Sequence, residues 1–147
     1  MIREVIEQDS FEMAKLIRQL SPSDVNVTED MVNMIKAKIS AIAELNYMKI
    51  FGYESDGRIV GTCTLGRIEG LSKGCRPFAV IENVVVLDSI RSQGIGKQLV
   101  RYAIAQAEKW NCYKVILETG SQDAWKLSFY EKCGLTRGGK TAFMKRF

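Results

Sequence analysis

A strand, a glycine turn, a helix and a second strand follow one another in the second half of the chain, and this succession limits the fold more than any other feature. Residues 79–87, "AVIENVVVL", are apolar except for Glu82 and Asn83, the pattern of a strand covered on both faces. "RSQGIG" follows at 91–96, then Leu99, Ala103, Ala107 and Trp110 mark one helical stripe. "YKVILET" at 113–119 supplies the second apolar strand. Together they predict a β-α-β unit. Each glycine at the helix entry costs about 1 kcal/mol relative to alanine, so Gly94 and Gly96 need a reason.

An anion supplies one. At a helix N-terminus several backbone N–H groups have no partner in the helix, and the dipole adds about half a positive charge. Glycine removes the Cβ atoms that would keep a ligand from the backbone. A nucleotide-binding P-loop would need glycine in place of Arg91 and Ser or Thr in place of Gln98. A dinucleotide fingerprint would need its third glycine at Leu99. Both are excluded.

Composition narrows the chemistry further. The chain has no histidine, which rules out a Ser-His-Asp or Cys-His site and leaves Glu, Asp, Tyr, Lys, backbone groups or water for proton transfer. Cys63, Cys75, Cys112 and Cys133 form no C-x-x-C pair, so they read as reduced, partly buried thiols, with no metal site. A net charge of +4 suits an anionic ligand but lacks the clustered basic stripe of a nucleic-acid binder. No apolar run reaches the about eighteen residues of a membrane span, and "MIREVIEQDSFEM" lacks the apolar core of a signal peptide. A cytoplasmic location, with neither membrane nor nucleic acid as partner, is the expectation.

At 147 residues the chain is expected to form one domain, residues 1–147. "IREV" at 2–5 predicts a strand, and Asp9 with Glu12 resembles a helix cap and its partner. Phe11, Ala14, Ile17 and Leu20 predict the buried stripe of a first helix, which Ser21-Pro22-Ser23-Asp24 breaks. A second helix is predicted after Thr28, with Met31, Ile35, Ile39 and Ile42 on one face, ending near Asn46. Asp56-Gly57 between "YMKIFGYES" and "RIVGTCTLGRI" predicts a tight hairpin. "GLSKGC" at 70–75 predicts a basic loop, Gln122–Lys132 a short helix stopped by Gly134, and "KTAFMKRF" at 140–147 a last strand.

Arg91-Ser92-Gln93-Gly94-Ile95-Gly96 matches R/Q-x-x-G-x-G/A, and with the order β-α-α-β-β-β-α-β-α-β it resembles the GNAT family of acetyl-CoA-dependent N-acetyltransferases. "NCYKVILETGSQDAWKLSFYEKCGL" at 111–135 is similar to the "CYK-strand-FYEKCGF" region of the glucosamine-6-phosphate N-acetyltransferase branch. The resemblance implies an α/β (α+β) fold with a central mixed, mostly antiparallel sheet of about six or seven strands flanked by about four helices. It implies acetyl-CoA as cosubstrate, its pyrophosphate held by Arg91, Ser92, Gln93, Gly94, Ile95, Gly96, Lys97 and Gln98. It further implies that the backbone of Val84, Val85 and Val86 holds the pantetheine arm and thioester, the strand being splayed from its neighbour.

Tyr130 corresponds to the tyrosine that protonates or hydrogen-bonds the departing thiolate in the family, and a phenol of pKa about 10 suits that role; on its own it would read as packed core. Glu82 interrupts an apolar strand and is a candidate base, acting directly or through water, or else a solvent-facing strand-end carboxylate. Asn83 beside it stands where the branch has Asp. Glu118 corresponds to an acidic residue that contacts the acceptor sugar, though a carboxylate at a strand end also serves as a cap. Lys73, Arg67 and Arg76 could attract an anionic acceptor, or form a solvated hairpin loop. The ending "FMKRF" departs from the branch's E-M-Q-I-R-K pattern, and Lys145 lacks the fork of an arginine. The acceptor is therefore open, with glucosamine 6-phosphate the leading named amine; a non-catalytic acyl-CoA-binding sensor is the alternative. Members of the family are often dimers, some sharing the C-terminal strand, so the resemblance leaves room for a homodimer.

Overall fold

The computed structural model describes residues 1–20 and 26–147. The break expected at Ser21-Pro22-Ser23-Asp24 lies outside the described residues. In chain order the elements are β1 (Ile2–Glu4), α1 (Ser10–Arg18), α2 (Glu29–Ala43), β2 (Met48–Ser55), β3 (Arg58–Ile68), β4 (Phe78–Val86), α3 (Ile95–Lys109), β5 (Val115–Leu117) and α4 (Ala124–Lys132). The strands form one sheet in the order β1-β2-β3-β4-β5, antiparallel throughout except for the parallel pair β4/β5.

Local chemistry explains several boundaries. Thr28 accepts a hydrogen bond from the Met31 N–H at 3.2 Å, so α2 starts at a capped residue as its sequence predicts. Ser55 pairs with Arg58, leaving Asp56 (φ 50°) and Gly57 (φ 74°) as a two-residue turn whose left-handed pair matches the twist of the strands. The first helix differs from expectation. Met13, Ala14 and Leu16 are buried while Phe11 and Leu20 are exposed; the Phe11 ring lies outside, with the Lys15 ammonium 4.1 Å from its centroid. Asp9 does not cap α1 with its side chain; its carboxylate accepts from Arg3 at 2.7 and 2.9 Å and from the Ile6 N–H at 2.9 Å.

The sheet carries apolar side chains on both faces. Phe51, Cys63, Leu65, Ala79 and Ile81 meet Leu99, Val100, Ala103 and Ala107 of α3, and Val5, Ile59 and Val85 meet Met13, Leu16 and Ile39 from α1 and α2. Strict alternation would put Ile81 and Val85 on the same face, yet they belong to opposite cores. A β-bulge causes this. Thr64 pairs with Glu82 and Thr62 with Val85, so Asn83 and Val84 together oppose Cys63, and Asn83 takes the left-handed φ of 53°. One extra residue reverses the inside and outside of everything after it, which turns Val84 and Val86 toward the α3 core.

The sheet has five strands among the described residues, fewer than the resemblance implies, because the strand expected at 140–147 is absent. Phe143 and Met144 stand 95% and 73% exposed. A strand exists only through its ladder, and β5, three residues long, presents a short outer edge for another strand to join.

Candidate active site

The site begins where two parallel strands part. Ala79, Val80 and Ile81 pair with Val115, Ile116 and Leu117, and β5 then ends while β4 continues to Val86 beside β3. The Leu87 N–H donates to the Val60 carbonyl at 2.9 Å, and a single 3-10 turn over Asp88–Ile90 leads to the glycine segment. Arg91 folds back on this turn: its guanidinium pairs with Asp88 and its Nε donates to the Val86 carbonyl at 3.3 Å. Ser92 (φ 65°) and Gly94 (φ 80°) are left-handed, which swings the chain into α3. The first helical bond runs from the Gln98 N–H to the Gly94 carbonyl at 3.1 Å, and no side chain caps this end.

The two glycines differ in what surrounds them, a difference their sequence does not show. A Cβ on Gly94 would meet nothing within 4 Å, so that position needs glycine for its φ and for any ligand arriving from the open side. A Cβ on Gly96 would come within 3.2 Å of Phe129 Cζ and 3.6 Å of Val86 Cγ2, so that position is small because α4 packs on it. Arg91, Ser92, Gln93, Gly94 and Gln98 are exposed and Lys97 is half-buried. Ile95 is 6% exposed, with its side chain in the core; only its backbone faces the turn's task.

Across the opening, α4 carries Tyr130, half-buried against the α3-side core. Burial pushes its phenol above the ordinary value, and the charges of Cys133 and Glu82 push the same way; it holds its proton throughout the neutral range. Glu82 therefore stands within electrostatic reach of Tyr130. It is exposed rather than buried, because it sits at the last β3 pairing before the bulge, where β5 no longer covers the strand. Asn83 is exposed at the bulge, and Glu118 is exposed just beyond β5. Glu118, Leu117, Leu127, Tyr130 and Glu131 line a cleft of about 650 Å³ along the outer edge of β5.

Arg76 and Lys73 are not brought to this opening. Arg76 donates to the carbonyls of Asn111 and Cys112, each at 3.1 Å, at the start of β4 and β5, the opposite end of both strands from Glu82 and Glu118. Lys73 is exposed in the same loop. Arg67 pairs with Glu69 at 2.7 Å and lies over the Trp110 ring at 5.8 Å, also at that end. Two residues of the site escaped the sequence reading. Asp88, three places before Arg91, had a visible i,i+3 charge signal; Phe129 had none beyond its place next to Tyr130.

An exposed, uncapped helix end thus follows a strand that leaves its parallel neighbour, and Tyr130 lies near it on α4. Residues 14–135 match the acetyltransferase (GNAT) family, and the chain belongs to it. Acetyl-CoA-dependent N-acetyl transfer is the activity that this membership and the named homologues support. Among those relatives is a glucosamine 6-phosphate N-acetyltransferase of Trypanosoma brucei brucei, 38% identical over 86 residues, which are 58% of this chain and 56% of that protein; the match thus spans about half the length of that relative. A solved structure assigned as an acetyltransferase, from Agrobacterium tumefaciens str. C58, superposes with a TM-score of 0.90 at 36% identity, covering 100% of this chain and 99% of that one. The glucosamine-6-phosphate N-acetyltransferase of Arabidopsis thaliana superposes with a TM-score of 0.83 at 25% identity, over 100% and 97% of the two chains. No helix among the described residues is long and apolar enough to cross a membrane.

Proposed function

We propose that the protein transfers the acetyl group of acetyl-CoA to a primary amine by direct attack in a ternary complex formed where β4 and β5 part. The observation that carries this reading is the uncapped, exposed entry of α3 beside that parting. Its backbone N–H groups, with Arg91, Ser92, Gln93, Lys97 and Gln98, fit a diphosphate: the donors are unspent in the helix and the open side of Gly94 lets the ligand reach them. Acetyl-CoA supplies an acyl group already activated as a thioester. The stretch Val84–Val86, beyond the last β5 pairing, offers main-chain groups to hold the arm that carries it.

The chain's own residues then divide the proton work. Glu82 accepts a proton from the acceptor's ammonium, directly or through water, which frees the lone pair for attack. Tyr130 holds a proton beside the departing sulfur; as the N–C bond forms and the C–S bond breaks, that proton passes to the thiolate while the phenolate oxygen takes the second proton of the attacking nitrogen, which leaves a neutral amide, a free thiol and the phenol restored. Burial keeps the phenol protonated at rest; because an ordinary thiol ionises near 8.5, about 1.5 below a free phenol, the phenol acts as a relay and the transfer is driven by the acidic nitrogen of the adduct. Glu82 and Glu118, one on each parted strand, favour a cationic amine between them. Glucosamine 6-phosphate is the leading acceptor, in keeping with the relatives that carry that name.

Release of free thiol from acetyl-CoA, followed over a panel of amines that includes glucosamine 6-phosphate, aminoglycosides, polyamines and amino acids, tests the reading. Amine-dependent thiol release supports it, and preference for glucosamine 6-phosphate supports the named acceptor. Binding of coenzyme A by calorimetry with no thiol release on any amine would favour a non-catalytic sensor; no binding would remove the reading altogether.

A further inference from the structure

Tyr130 reaches its place through a helix that is lightly held. No side chain caps the start of α4, and none of its residues is fully buried. Two of its contacts with α3 bear on the placement of Tyr130. One is a hydrogen bond from Arg101 to the Lys132 carbonyl at 3.2 Å, at the far end of α4. The other lies next to the phenol: the Phe129 ring sits over Gly96 so closely that a Cβ there would be 3.2 Å from Cζ and 3.5 Å from Cε2. Phe129 in turn meets Tyr130 edge to face, with ring centroids 5.0 Å apart and planes at 67°. Gly96 is in the first turn of α3, the same turn whose N–H groups face the opening.

We propose that Phe129 is a positioning residue: its ring, seated on Gly96, transmits the placement of the α3 turn to the Tyr130 hydroxyl, so that a diphosphate bound at the turn and the proton donor are held in register. This rests on the function proposed above. Gly96 is the seat because only a residue without Cβ lets the ring lie against the helix backbone, and Val86 walls it on the β4 side at 3.6 Å from the same point. A ring on such a seat has little freedom to slide. Misplacing a reacting group by about 1 Å costs about 100-fold in rate, and a Cβ on Gly96 displaces the ring by a few tenths of an ångström, so several-fold effects are expected.

The test uses the full chain with tyrosine labelled at 13Cζ, the Tyr130 resonance being assigned from Tyr130→Phe, and, as the titrant for that signal, ADP, which carries the diphosphate but no thiol arm to touch the phenol. In the wild type the Tyr130 signal moves as the turn fills. Phe129→Leu and Phe129→Ala should bind coenzyme A within about three-fold of wild type by calorimetry, a change of under about 1 kcal/mol, yet show a Tyr130 signal that no longer follows the ADP titration. With the preferred amine, kcat should fall about ten-fold in Phe129→Ala with the KM for acetyl-CoA little changed. Gly96→Ala should lower kcat on its own, and Gly96→Ala with Phe129→Leu should lose less than the product of the two single effects, because the smaller side chain makes room for the added methyl. A Tyr130 signal in Phe129→Ala that tracks ADP as in wild type, or strictly multiplicative losses in the double variant, overturns the inference. If the wild type takes up coenzyme A and Tyr130→Phe is slow while the Phe129 variants behave normally, only the inference fails. If coenzyme A gives no heat in the wild type, the proposed function falls with it.

Discussion

Gly94 separates two reasons for glycine that usually act together. At φ 80° an alanine sits in the left-handed region, at a cost of about 1–2 kcal/mol, and no steric clash adds to it because a Cβ meets nothing within 4 Å. For a chain of 147 residues the entropy of unfolding near the midpoint is about 0.3 kcal/mol/K, so Gly94→Ala should lower Tm by about 3–6 °C. Asparagine tolerates that backbone conformation, so Gly94→Asn should recover most of the loss. Both variants nevertheless place a Cβ on the open side of the turn. If a diphosphate lies there, each weakens one charge-assisted N–H contact worth about 1.5–3 kcal/mol, which is about 10- to 150-fold in Kd for coenzyme A. Differential scanning calorimetry and isothermal titration read the two quantities separately. Tm falling in Gly94→Ala and recovering in Gly94→Asn, with Kd weakened in both, is the expected result. Unchanged affinity in a well-folded Gly94→Asn would refute the claim that ligand approaches this backbone.

The other outcomes follow from single groups. Tyr130→Phe should lower kcat about 100-fold, at the modest end for loss of a general acid, with Kd for coenzyme A unchanged; since the phenol is raised above 10 by burial, Cys133 and Glu82, the alkaline limb of the wild-type kcat profile should lie above pH 10 and vanish in the variant. Burial raises the Asp9 carboxyl, but Arg3 and the Ile6 N–H outweigh it and hold it below its ordinary value of 3.8. Its contribution to stability is therefore complete above that value and lost as pH falls through the folded one; Asp9→Asn should be less stable at pH 7 by about 1–3 kcal/mol and show a shallower acid limb in chemical denaturation at pH 2–5. Leu99 is 0% exposed in the α3-side core, so Leu99→Ala should cost about 2–5 kcal/mol, measured by urea titration, without a specific effect on the acetyl-CoA KM.

What the sequence displayed and what it hid divide along the range of the interactions. The Asp56-Gly57 hairpin, the Thr28 cap and the strand-turn-helix at 79–110 rest on neighbours in the chain, and their residue types announce them. The phase of α1 does not, because the choice of Met13 and Leu16 over Phe11 for the inner side depends on what α2 and the sheet present to them. The bulge is hidden for the same reason. Nothing in "IENVVV" says that Asn83 will take a left-handed φ; that follows from pairing Thr62 with Val85 and Thr64 with Glu82, a decision made between strands. Its consequence reaches the site, since the reversal sets Val84 and Val86 toward α3 and Val85 toward α1 and α2, all in the segment that runs beyond β5. Gly96 is the sharpest instance. From the chain alone it belongs with Gly94 as part of one ligand-binding pattern, while in the fold its missing Cβ is filled by the Phe129 ring from a helix more than thirty positions on. A shared pattern in the chain therefore does not reveal that one of its glycines also carries a packing contact, which is legible only from what packs against it.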